Sequence, residues 1–166
     1  MSNEKVHAVV IGAGVLGCAV AYKLATAGVE SIVLESGPRI AEGITSRNSG
    51  VIHSGIYYPP NSLKAKSCVR GQELLYEWCE KAGVPHRKTG KWIVAPISAR
   101  DTLYSTYENA KTCGASALRW IDDPKKIEAA IPDIIADAAI FCGKTGIVDP
   151  YEYSRSLQVA SEEKGA

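Results

Sequence analysis

Six residues near the start of the chain, Gly12-Ala13-Gly14-Val15-Leu16-Gly17, constrain the fold more tightly than any other stretch. Residues 6–11 before them are apolar apart from His7 and rich in β-branched residues, the form of a strand buried on both faces of a parallel sheet. Residues 15–27 after them carry Leu16, Val20, Leu24 and Ala27 at helical spacing, and Gly28 closes that stripe. Residues 31–35 read as a second buried strand, apolar at 32–34. Strand, glycine turn, helix and strand in this order form the βαβ unit of a dinucleotide-binding fold. Gly12 and Gly14 keep the turn tight enough for a pyrophosphate to approach, Gly17 lets the helix close on the strand, and Val15 opens the helix whose dipole faces the anion. Glu35, about twenty residues past the turn, is spaced to accept hydrogen bonds from an adenosine ribose, and its charge disfavours a 2'-phosphate. The turn alone separates neither NAD from FAD nor a nucleotide site from a structural turn beside a surface glutamate.

The rest of the chain reads as a second layer of elements. Residues 36–61 are rich in Gly, Ser, Pro and Asn yet contain Val51, Ile52, Ile56, Tyr57 and Tyr58, too apolar for a linker. Residues 62–82 form a long helix with Ala65, Cys68, Leu75, Trp78, Cys79 and Ala82 on one side; Lys64, Lys66 and Arg70 read as its solvated face. Residues 86–95 are strand-like, and Ser98-Ala99-Arg100-Asp101 has the spacing of a capping box for a helix ending near Cys113. Asp123-Pro124 and Asp149-Pro150 each predict an N-cap followed by proline in a first turn, and residues 138–142 form a further strand. The expected organisation is a nucleotide-binding portion at 1–83, part of a substrate or cap domain at 84–145, and a returning helix at 146–166. Two strands are few for a doubly wound sheet, so a C-terminal half is expected to be absent from these 166 residues.

Charge and cysteine usage narrow the partners. A formal net charge of +1 and the lack of a dense basic stretch argue against nucleic acid and anionic membranes. Five cysteines, an odd number with no C-x-x-C pair, fit reduced thiols and an intracellular chain. The apolar stretch 6–27 is broken by glycines, His7 and Lys23, and the flank before it lacks a signal peptide's basic start. No transmembrane segment is expected; the cytoplasm is favoured, with a mitochondrial or membrane-peripheral place left open. His7 and His86 show no ligand spacing with the cysteines, so no metal site is expected.

The run Thr45-Ser46-Arg47-Asn48-Ser49-Gly50-Val51-Ile52-His53-Ser54-Gly55-Ile56-Tyr57-Tyr58, with Ser62-Leu63-Lys64-Ala65-Lys66 and Cys68-Val69-Arg70-Gly71, resembles the FAD-dependent oxidoreductases of the D-amino-acid-oxidase superfamily. Within it the resemblance is to L-2-hydroxyglutarate dehydrogenases or oxidases. Gly90-Lys91-Trp92-Ile93-Val94 and Gly146-Ile147-Val148-Asp149-Pro150 add weaker support, and Ser67 departs from it, standing where a larger apolar residue is expected. The resemblance implies an α/β chain: a Rossmann-like FAD-binding domain with part of an α+β substrate domain. It implies noncovalent FAD, with the glycine turn at the diphosphate, Glu35 at the ribose, and Thr45, Ser46, Arg47, Asn48 and Ser49 along the diphosphate, ribityl chain and ring. Some relatives attach the flavin through a histidine near this point, where this chain has Asn48.

The same resemblance implies oxidation of an L-2-hydroxy acid, foremost L-2-hydroxyglutarate, by hydride transfer to flavin N5, with oxygen or a quinone as electron acceptor. His53 is the candidate base, since imidazole titrates near neutrality, though a histidine that only bonds cofactor or backbone reads equally well. Tyr57 and Tyr58 are candidates for the substrate carboxylate or for ring packing. An amino-acid or glycerol-3-phosphate oxidoreductase is the nearest alternative, and an inactive nucleotide-binding fragment the rival of another class.

Overall fold

The computed structural model describes residues 5–166; residues 1–4, part of the flank read above for its charge, lie outside the described residues. In chain order the elements are β1 (Ala8–Ile11), α1 (Val15–Thr26), β2 (Ser31–Leu34), β3 (Val51–Ile52), α2 (Leu63–Ala82), β4 (His86–Arg87), β5 (Trp92–Ala95), α3 (Arg100–Thr112), β6 (Leu118–Ile121), α4 (Pro124–Ala130), β7 (Ala138–Cys142), β8 (Gly146–Val148) and α5 (Pro150–Glu162). They divide into two compact units. One holds the residues up to Gly50 with Cys79–Pro85 and Val148–Ala166; the other holds Val51–Trp78 and His86–Ile147. By compactness, 51–78 therefore groups with the later strands, whereas the sequence reading set it beside the glycine turn.

In the first unit β1 and β2 pair in parallel, from Ala8 opposite Ser31 to Ile11 opposite Leu34. Helix α1 packs on α5, and its buried residues are Cys18, Ala21 and Ala25. The apolar stripe expected of α1 is thus not its buried face: Leu16 is 80% exposed, because small side chains are what let two helices approach closely. Nor are the two strands covered on both faces. Ile11 is 87% exposed and Leu34 is exposed as well, since among the described residues this sheet has only two strands.

The second unit is built around an antiparallel sheet of order β5-β7-β6. Its central strand sorts its side chains by the two-residue period of a strand. Ala138, Ile140 and Cys142 join Leu103 and Ala110 of α3 in one cluster, while Ala139 joins Ile127 of α4 in another. A smaller sheet of order β3-β8-β4 completes the unit. The single strand expected over 86–95 is split between these two sheets, because the chain turns at Gly90 (φ +69°), where a Cβ would stand 2.5 Å from the Phe141 ring. In α2 the buried face includes Gln72 and Tyr76 beside Ala65 and Cys79, while Ser67 is exposed, so its small side chain costs the helix no packing.

Local signals fared unevenly. Asp123 caps α4 through the Lys125 amide at 3.1 Å, and Asp149 caps α5 through the Tyr151 and Glu152 amides at 2.9 and 3.0 Å. The capping box at 98–101 does not form: residues Ile97–Ala99 curl into a 3₁₀ turn, so Ser98 lacks the extended backbone a cap requires and Ala99 precedes the helix with no side-chain bond. Replacing Asp149 by Ala is expected to lower stability by about 0.5–2 kcal/mol, read as a fall in denaturation midpoint at unchanged m-value.

Candidate functional site

The turn between β1 and α1 is shaped by two side chains from distant parts of the first unit. Glu35, at the end of β2, accepts the Ala13 amide at 2.7 Å with one carboxylate oxygen and the Gly37 amide at 2.9 Å with the other. Thr45, buried in a 3₁₀ turn at Ile44–Ser46, accepts the Val15 amide at 3.1 Å. The Leu16 and Gly17 amides, in the first turn of α1, have no acceptor within the helix and are available to an anion. A Cβ on Gly17 would collide with the Gly12 carbonyl, and one on Gly14 would stand 3.1 Å from Thr45 Oγ1. The donors and the narrow turn fit a pyrophosphate and the ribose beside it.

A series of hollows leads away from this turn along the first unit. One of about 470 Å³ lies against Ala13, Ser31 and Glu35, a second of about 300 Å³ runs from Glu35 past Arg39 to Tyr151, and a third of about 550 Å³ continues to Ser46 and Arg47. The remaining predicted contacts of this loop mostly build the loop itself. Asn48 donates to the Thr45 carbonyl at 2.6 Å and accepts the Gly50 amide at 2.8 Å, and Ser46 Oγ donates to the Glu42 and Gly43 carbonyls. Arg47 and Ser49 are exposed.

In the second unit His53 follows β3 and leads into a segment packed closely on α2. At Gly55 (φ +78°) a Cβ would stand 3.1 Å from Val69 and 3.3 Å from the Ala65 carbonyl, so only glycine lets the chain pass so near the helix. Gln72, buried in α2, donates to the His53 carbonyl, Ser54 Oγ and the Lys144 carbonyl at 3.3, 3.3 and 2.9 Å. The Ser54 and Thr145 hydroxyls meet at 2.5 Å. Asn109 of α3 holds the far end of the segment by donating to the Ile56 and Tyr58 carbonyls.

The His53 side chain itself is exposed, and its imidazole is held below the ordinary 6.5, first by partial desolvation and then by the charges of Lys91 and Lys64. It is therefore neutral at pH 7, the form a base needs. Tyr57 and Tyr58 lie beneath cations: Lys91 Nζ is 4.4 Å from the Tyr57 ring centre and Lys64 Nζ is 4.5 Å from that of Tyr58. Burial raises the Tyr58 phenol, with Cys68 adding to it. Sequence reasoning set Lys64 aside as solvated and missed Gln72 and Asn109. A polar residue on the apolar side of a helix was the one available signal, since the Lys91–Tyr57 approach spans two strands and has no local signature. Among the described residues no cluster of acidic, His or Cys side chains is placed to hold a metal ion, and no helix is long and apolar enough to cross a membrane.

Comparison with known proteins gives the family and the fold likeness. Residues 7–166 match the DAO family, described as FAD dependent oxidoreductase. The chain is 40% identical over 158 residues to L-2-hydroxyglutarate dehydrogenase, mitochondrial, of Arabidopsis thaliana, covering 95% of this chain and 32% of that protein. It is 39% identical to the Homo sapiens protein of the same name, covering 99% and 36%. It thus spans about a third of the length of these curated relatives, whose names carry the mitochondrial location that sequence left open beside the cytoplasm. In structure it is similar to L-alpha-glycerophosphate oxidase from Mycoplasma pneumoniae with FAD bound, at a TM-score of 0.89 and 25% identity over 98% of this chain and 44% of that one. It is also similar to L-proline dehydrogenase from P. horikoshii, at 0.82 and 27% over 98% and 43%.

The Glu35 carboxyl is held below its ordinary 4.5, chiefly by the Ala13 amide and then by that of Gly37. A depressed acid contributes fully above its ordinary value and loses its contribution as pH falls through the lower folded value. The Ala13 amide resonance is therefore expected to titrate with a midpoint below 4.5, and Glu35→Gln to abolish that titration.

Proposed function

Because the chain belongs to the DAO family of FAD dependent oxidoreductases, we propose that it forms the adenosine-holding part of an enzyme that oxidises an L-2-hydroxy acid, foremost L-2-hydroxyglutarate, to the 2-oxo acid. The observation that carries the substrate is the identity of about 40% to L-2-hydroxyglutarate dehydrogenases along nearly the whole chain. Noncovalent FAD, once bound, supplies the two-electron acceptor. The chain's own contribution to binding begins at the glycine turn, where the Leu16 and Gly17 amides and the α1 dipole receive the diphosphate. Glu35 keeps lone pairs for the ribose hydroxyls while it holds Ala13, and its charge turns away a 2'-phosphate. Thr45 keeps its loop against the turn, so that Ser46 and Arg47 line the way onward.

His53 is the proposed base. A neutral imidazole beside two ammonium groups accepts the hydroxyl proton of the substrate at a ring nitrogen, while the lysines favour an anionic substrate over a neutral one. Tyr57 and Tyr58 hold these cations by their ring faces and offer hydroxyls to a carboxylate. A second reading, with a glycerol phosphate as substrate, has the structural likeness to the glycerophosphate oxidase in its favour.

Anaerobic mixing separates the two. With the full-length gene product carrying FAD, L-2-hydroxyglutarate is expected to bleach the flavin absorbance and L-α-glycerophosphate to leave it unchanged; the reverse would overturn the reading. His53→Ala should slow the bleaching roughly a hundredfold or more, whereas an undiminished rate across pH would remove His53 from the role of base.

A further inference from the structure

Several basic side chains in the second unit have an acidic neighbour. Arg70 and Lys144 share Glu73 at 3.1 and 3.6 Å, Arg100 meets Asp122 and Lys111 meets Glu108. Lys64 and Lys91 are among those with no ion pair in the described residues, and they sit over two successive tyrosine rings, where the charge of each acts on His53. An ammonium on a ring face keeps N–H bonds free for another acceptor, and two that act on one histidine favour an anion there.

The framework under them is fixed. Lys64 lies in the first turn of α2, and two turns further along the same helix Gln72 grips His53 and Ser54. The Ser54 hydroxyl meets that of Thr145, whose carbonyl accepts the Gly90 amide, and Lys91 exchanges both backbone bonds with Cys142. His53, Lys64 and Lys91 are thus joined through buried polar contacts although the chain separates them by up to 38 residues, the difference between positions 53 and 91.

We propose that Lys64 and Lys91 form a binding site for the carboxylate remote from the reacting carbon of a dicarboxylic substrate, and so select dicarboxylates over monocarboxylates. The proposal rests on the hydroxy-acid reading for the identity of the anion and on the lysine cluster for its place. Both lysines act as positioning groups through charge-assisted hydrogen bonds, and no proton or electron moves through them.

The test uses glutarate, which has both carboxylates and no hydroxyl to oxidise, with valerate and inorganic phosphate as controls, titrated into the full-length FAD-loaded protein by calorimetry. Glutarate is expected to bind wild type, to weaken about tenfold or more in Lys64→Gln and again in Lys91→Gln, and to be retained in Lys91→Arg, which keeps the charge. Valerate should bind more weakly than glutarate in wild type, and the gap should close in the double variant. Equal glutarate affinity in wild type and the double variant overturns the proposal. So does phosphate binding as tightly as glutarate, which would mark a phosphate site. If glutarate binds through these lysines while L-2-hydroxyglutarate leaves the flavin oxidised, the hydroxy-acid reading fails and the dicarboxylate site stands.

Discussion

At the tip of β1 the chain turns back on itself, and the Ala13 amide there points at a carboxylate 22 residues later, Glu35 Oε2, at 2.7 Å. Two residues further on, the Val15 amide meets the hydroxyl of Thr45. The first bond fixes the residue just before the N-cap, and the second uses a backbone donor that the start of a helix leaves without a partner. They leave the Leu16 and Gly17 amides facing outward, and they set the distance between the glycine turn and the two loops that border it. The hollows beside Glu35, Arg39 and Arg47 follow from that spacing. Glu35 is therefore a structural tie as well as the group proposed to meet the ribose, and its lowered pKa reflects the tie.

The second unit solves a related problem with a neutral side chain. A segment of mixed polarity, His53 to Tyr58, has to lie against a helix without leaving buried polar groups unpaired. Gln72 answers this by donating to three oxygens, and Asn109 by donating to two carbonyls. With the backbone held from behind, the side chains of His53 and Tyr57 are free to stand exposed.

The βαβ unit was legible because its signals are local: a glycine turn between two apolar runs, with an acid at the end of the second. The aspartate-proline caps of α4 and α5 were legible for the same reason, since Asp123 and Asp149 bond amides two or three residues away. Position and role diverged where packing decided. The stripe of Leu16 and Val20 satisfies helical periodicity, yet α1 buries Cys18, Ala21 and Ala25, because the approach of α5 favours small residues. The strand expected over 86–95 matched in composition but not in continuity, since Gly90 sends its two ends to different sheets. Lys64 and Lys91 were legible as cations, but their placement above the tyrosines was not. Lys91 reaches Tyr57 only because β5, β7 and the turn at Thr145 bring them together.

Whether Glu35 and the glycine turn hold the adenosine half of FAD is read by comparing FAD with FMN, which has the same ring system but no adenosine. Titrated into flavin-free full-length protein, FAD should bind more tightly than FMN, and Glu35→Ala should weaken FAD while leaving FMN unchanged. Equal affinity for the two flavins, or an equal loss of both in Glu35→Ala, would remove Glu35 and the turn from that role.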